Sequence, residues 1–116
     1  MEIYVRTDHN IDGSDKLTAF VEGAVEAALS RFSGHLTRVE VHLSDESGGR
    51  TTGADIRCLI EARPAGRTPV TVTDDSGSVD AALTGAIQRL THLLDSDEGR
   101  QEDQHARASI RGRTDR

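Results

Sequence analysis

Aromatic side chains are nearly missing from this sequence: Tyr4, Phe20 and Phe32 are the only ones in 116 residues. The core must therefore be built from Val, Ile, Leu and Ala. A sheet surface with several aromatics for stacking RNA bases is excluded. Cysteine is scarcer still. Cys58 stands alone, so no intrachain disulfide forms and nothing demands an oxidising compartment. Positive charge is in deficit, with a formal net charge of −6. That argues against a DNA-binding or RNA-binding domain working through bulk charge, and leaves a local basic patch as the route to any nucleic acid. Long apolar runs are absent: no stretch approaches the roughly 18 consecutive apolar residues of a membrane span. The opening MEIYVRTDHN lacks the basic region and apolar run of a signal peptide. The expectation is a cytoplasmic protein with no membrane partner.

Motifs that carry chemistry are missing as well. There is no glycine-rich phosphate loop and no nucleophile motif. His9, His35, His42, His92 and His105 have no metal-ligand spacing with Cys58. Glu22 and Glu26, one helical turn apart, read as solvent residues on a polar helix face rather than as a catalytic carboxylate pair. The sequence predicts a non-enzyme without metal or cofactor.

What is present is periodicity. The length fits one domain, and 34% hydrophobic residues suffice for a small two-layer core. In LTRVEVHLSD, residues 36–45, Val39, Val41 and Leu43 alternate with Arg38, Glu40, His42 and Ser44. That period of two marks a strand with one buried and one wet face. Ile3 and Val5 alternate with Glu2, Tyr4 and Arg6 in a first strand over residues 2–7. Ser14 is a helix N-cap, with Asp15 favourable in the first turn. Leu17, Phe20, Val21, Ala24, Val25, Ala28 and Phe32 form one helical stripe, and Gly34 is placed to stop it. Gly48-Gly49 is a hairpin connection. A third strand over 55–63 puts Ile56, Cys58, Ile60 and Ala62 on one side, and Pro64-Ala65-Gly66 is a turn. A short fourth strand carries Val70 and Val72, and Pro69 at its start suggests a sheet edge. Residues 74–78 read as a loop ending in a second N-cap, Ser78. Val79, Ala82, Leu83, Ala86, Ile87, Leu90 and Leu94 form the cleanest stripe in the chain. After Ser96 the pattern fails, and residues 97–116 read as a charged, disordered tail to a single domain over 1–96.

The element order is β-α-β-β-β-α. A strand, helix and strand make a right-handed parallel unit, and short loops then favour an antiparallel meander. Each strand has one apolar face, so both helices must bury their stripes on the same side. The predicted fold is a two-layer α+β domain: a four-stranded mixed sheet with both helices on one face and the other face open.

This chain resembles the short ribosome hibernation-promoting factors, also called ribosome-associated inhibitor A or sigma-54 modulation proteins. The resemblance runs from about Met1 to Leu94. It is carried by the opening strand ending in His9, by the L-x-x-F-V helix start at Leu17 to Val21, and by the helix exit Leu29-Ser30-Arg31-Phe32. The strand His35-Leu36-Thr37-Arg38-Val39-Glu40-Val41 and the last helix with Ala86-Ile87-Gln88-Arg89-Leu90 continue it. The resemblance implies a translation inhibitor that binds ribosomal RNA of the small ribosomal subunit near the decoding centre. In the family, basic residues on the helices and nearby loops face that RNA. The positions implied here are His9, Lys16, Arg31 and Arg89.

The sequence departs from the family in charge. Lys16 and Arg31 stand against Asp15, Glu22 and Glu26 on the first helix, and Arg89 against Asp80 and Asp95 on the second. Asp8 takes the place of the family's basic residue before the histidine. Phosphate binding at cellular salt needs several cations. The open sheet face offers a second set, Arg6, Arg38, Arg57 and Arg63, interleaved with Glu2, Glu40, Asp55 and Glu61. Opposite charges on neighbouring strands are also ordinary sheet stabilisation. Two functions follow: a ribosome-binding repressor of translation, or a domain that keeps the fold and binds a protein partner without binding ribosomes. Oligomeric state is not encoded in any feature of the sequence.

Overall fold

The structure is a computed structural model that describes residues 1–8, 11–46 and 55–114, with side chains described through residue 96. His9 and the Gly48-Gly49 connection lie outside the described residues. The elements follow the predicted order: β1 (Glu2–Thr7), α1 (Asp15–Leu29), a 3-10 turn (Ser30–Phe32), β2 (Leu36–Asp45), β3 (Ile56–Pro64), β4 (Val70–Ser76) and α2 (Val79–Thr114). The strands form one sheet in the order β1-β2-β3-β4. The β1–β2 pair is parallel, because α1 carries the chain back across the sheet between them. The β2–β3 and β3–β4 pairs are antiparallel.

Both helices start where hydroxyl caps allow. Ser14 Oγ accepts the Leu17 N–H at 3.2 Å, and Ser78 Oγ accepts the Ala81 N–H at 3.1 Å. Each bond satisfies one of the amides that a helix leaves open in its first turn. The stripes then bury on one side of the sheet. Val21, Val25 and Leu29 of α1 join Ala82, Leu83, Ala86, Leu90 and Leu94 of α2 over Val39, Val41, Leu43, Cys58, Ile60 and Ala62. The two-layer reading holds.

Four local expectations need correction. Phe20 does not join the core and is 49% exposed. At roughly 100° per residue it lies about 100° behind Val21, while Val25, Leu29 and Phe32 turn the buried direction the other way. Gly34 does not end the first helix. The α-helix ends at Leu29, and the tighter 3-10 turn that follows brings Phe32 into the core at 1% exposure. Residues 74–76 are not loop: β4 runs on to Ser76, and the alternation of Val70 and Val72 extends to Asp74. Residues 97–114, read from sequence as a charged tail, continue α2 to Thr114. They carry good helix formers such as Glu98, Gln101, Glu102, Ala106 and Arg107.

One irregularity shapes the sheet. Between Leu36 and Arg38 the β2–β3 register slips by one residue. Thr37 is the extra residue, and its hydroxyl donates to the Arg63 carbonyl at 2.9 Å. The bulge changes which face the strand presents. Leu36 and Val39 are thus both buried, although strict alternation would separate them.

Candidate nucleic-acid interface

Among the residues whose side chains are described, the helix-borne cations are Lys16, Arg31 and Arg89, and the fold does not gather them. Lys16 lies exposed in the first turn of α1. Arg31 sits in the 3-10 turn at the other end, about 20 Å away at 1.5 Å rise per residue. Arg89 projects from α2 above β4, where it lines a groove of about 420 Å³ with Thr71, Val72, Thr73, His92 and Leu93. The solvent side of α1 between Lys16 and Arg31 carries Glu22 and Glu26. These carboxylates line a second groove, about 390 Å³, with Met1, Ile3, Ser30 and Ser33. Phosphates approaching α1 would therefore meet repulsion between two points of attraction.

Both arginines are held by carboxylates of the same chain. The Arg31 guanidinium lies over the Phe32 ring, 4.4 Å from its centroid. It donates to both oxygens of Asp95, at 2.6 and 2.8 Å, which ties the exit of α1 to α2. Arg89 Nε lies 3.4 Å from Asp74 Oδ1. Asp74 occupies a core-facing position of β4, and its side chain is only 17% exposed. It enters a notch in α2 at Gly85, where any Cβ would collide with the carboxylate. The Ser76 hydroxyl donates to Asp74 Oδ2 at 2.9 Å. Asp74 also bears on Cys58, its register partner on β3. Burial first, and the Asp74 charge second, push the Cys58 thiol up to about 12, so it stays a protonated core residue.

The open sheet face shows the same pairing. Cross-strand rows set Glu2, Arg38 and Arg63 side by side, then Tyr4, Glu40, Glu61 and Thr71, then Arg6, His42, Leu59 and Thr73. Arg38 stacks over Tyr4 at 4.2 Å from the ring centroid and bonds Glu40 at 2.9 Å. Arg6 reaches the same carboxylate at 3.5 Å. The hydrogen bond from Arg38, with the Arg38 and Arg6 charges, outweighs burial and holds the Glu40 carboxyl below its usual range. The Tyr4 hydroxyl donates to Glu2 at 2.9 Å, and that bond raises the phenol above its usual value. Arg63 pairs with Glu61 at 3.1 Å and Arg57 with Asp75 at 2.9 Å. Arg6, Arg38, Arg57 and Arg63 thus each have an acidic neighbour, and the face is a charge lattice more than a basic patch.

Sequence reasoning found the cations but missed their partners. Asp74 could have been found, since it continues the period-two pattern of Val70 and Val72. The Arg31–Asp95 contact spans 64 residues and has no local signal. Among the described residues no three His, Cys, Asp or Glu side chains converge on a metal position. No described helix is long and apolar enough to cross a membrane.

A two-layer domain with a 1-2-3-4 mixed sheet, two helices on one face and scattered cations on the helices defines a binding module. The chain belongs to the Sigma 54 modulation protein / S30EA ribosomal protein family, which matches residues 4–102. The factors of this family act on ribosomes by binding, not by catalysis. Among solved structures, the Thermus thermophilus Protein Y N-terminal domain is similar to this chain at 26% identity and a TM-score of 0.65, covering 81% of this chain and 96% of that one. A ribosomal subunit interface protein from Coxiella burnetii has the same fold, with 12% identity and a TM-score of 0.61 over 85% of this chain and 99% of its own. No curated protein sequence matches the chain significantly.

Proposed function

We propose that this protein associates with ribosomes through the small subunit near the decoding centre, contacts ribosomal RNA and represses translation as a hibernation factor. Its place of action is then the cytoplasm. The observation that carries this reading is the family match over residues 4–102, joined to a fold shared with Protein Y. Lys16, Arg31 and Arg89 are the helix-borne contacts, with His9, two residues past β1 in the sequence. Arg6, Arg38, Arg57 and Arg63 are the second choice. Phosphate contacts position such a protein and add up along its surface.

One observation favours a second reading. Arg31 and Arg89 already have carboxylate partners within the chain, and Glu22 and Glu26 occupy the α1 surface. A domain so arranged fits a protein partner and need not bind ribosomes. Sucrose-gradient co-sedimentation with separated small and large subunits, at low and at physiological salt, decides between the two. Ribosome binding predicts association with the small subunit that weakens steeply with salt. The triple variant Lys16→Ala, Arg31→Ala, Arg89→Ala should bind less and show a shallower salt dependence. Failure of the wild-type chain to co-sediment at low salt refutes the first reading and leaves the second.

A further inference from the structure

The Arg31–Asp95 contact has a geometry that a nucleic acid would have to break. A guanidinium fork takes a phosphate with two parallel N–H···O bonds, as it takes a carboxylate. Here both bonds are already made, at 2.6 and 2.8 Å, to the two oxygens of Asp95. Asp95 and a phosphate that takes the Nη1–Nη2 edge of the guanidinium therefore compete for one fork. The pair also stands in water, with side-chain exposures of 59% for Arg31 and 48% for Asp95, so it opens without disturbing the core. Asp74 and Arg89 differ in this respect: the Asp74 side chain is only 17% exposed and its carboxylate lies against Gly85.

We propose that Asp95 is a built-in competitor for phosphate at Arg31 and sets how tightly, and at what salt, this domain binds a polyanion. The inference rests on the ribosome-binding reading and deepens it by naming a residue that determines affinity. Its physical basis has two parts. Phosphate binding at the Nη1–Nη2 edge of Arg31 must first open the ion pair, and exposed pairs of this kind hold by up to about five-fold in equilibrium constant. Once opened, the pair leaves the Asp95 charge beside the incoming phosphate, where it repels. Because α2 supplies Asp95 and the 3-10 turn supplies Arg31, the competitor is held in place by the docking of both helices on the sheet.

The test uses the full chain with two ligands: heparin as a plain polyanion, and purified small subunits. Asp95→Asn keeps the size of the side chain and removes its charge. Asp80→Asn makes the same change of net charge at the far end of α2, away from Arg31. Melting temperatures establish that each variant is folded, and Asp95→Glu, which restores the charge, should behave close to wild type. Asp95→Asn should bind heparin about two- to five-fold more tightly than Asp80→Asn does. In an Arg31→Ala background that advantage should vanish. A gain no larger than that of Asp80→Asn, or one that survives Arg31→Ala, overturns the proposal. So does weaker binding, which would make Asp95 a positioning residue for Arg31. An Arg31-dependent gain on heparin with no small-subunit association at any salt refutes the ribosome reading and leaves the competition standing. Small-subunit association without that gain refutes the competition alone.

Discussion

Gly85 offers a sharp test of how the fold fixes Arg89. Exposed helix glycines usually gain from replacement by alanine, by ~0.5–1 kcal/mol, because glycine loses more backbone entropy on folding. Gly23 in α1 is such a site: a Cβ built there meets nothing within 4 Å. Gly85 in α2 is not, because its Cβ would collide with the Asp74 carboxylate. Gly85→Ala must therefore expel Asp74 from the notch. That forfeits the hydrogen bond from Ser76, a net contribution of ~0.5–1.5 kcal/mol, and the half-shielded pair with Arg89, ~0.2–1 kcal/mol. Gly23→Ala should stabilise the protein by ~0.5–1 kcal/mol, and Gly85→Ala should fall ~1–2 kcal/mol below it. Urea melts with constant slope measure both. Removing the obstacle should reverse the sign of the interaction, so Gly85→Ala should be better tolerated in an Asp74→Ala background than alone. Equal stabilisation by Gly23→Ala and Gly85→Ala would refute the reasoning, for it would mean that Asp74 does not occupy the notch and that Arg89 is not held there.

Leu83 is 1% exposed at the centre of the α2 stripe, so Leu83→Ala should cost ~2–5 kcal/mol in the same urea melts, and a loss under half a kcal/mol would mean the stripe is not core. Cys58 is fully buried with its thiol pushed up to about 12, so a thiol reagent at neutral pH should label it only at the rate of unfolding, and fast labelling of the folded protein would contradict its packing beneath α2.

The sequence by itself determined the element order, the two helix caps, and which side of each strand is buried. These are local matters: the period of two in Val39, Val41 and Leu43, the three- and four-residue spacing from Ala82 to Leu94, and serine at Ser14 and Ser78 each act within a few residues. Once both helices and all four strands have one apolar face each, a two-layer sandwich with an open sheet face is the arrangement that buries them all. Four things were left to the tertiary structure. The 3-10 turn after Leu29 aims Phe32 inward, and docking of α1 through Val21, Val25 and Leu29 leaves Phe20 outside. The extra residue at Thr37 lets Leu36 and Val39 share a face. Asp74 is seated at Gly85 because β4 and α2 pack closely there. Above all, the state of the cations was decided by contacts between distant elements. Lys16, Arg31 and Arg89 are legible as charges in the sequence. That Arg31 is closed on Asp95 across 64 residues, and Arg89 drawn to Asp74 across the β4–α2 packing, follows only once the two helices lie down on the same sheet. Coulomb attraction chooses its partners by distance in space, and spacing along the chain carries no record of it.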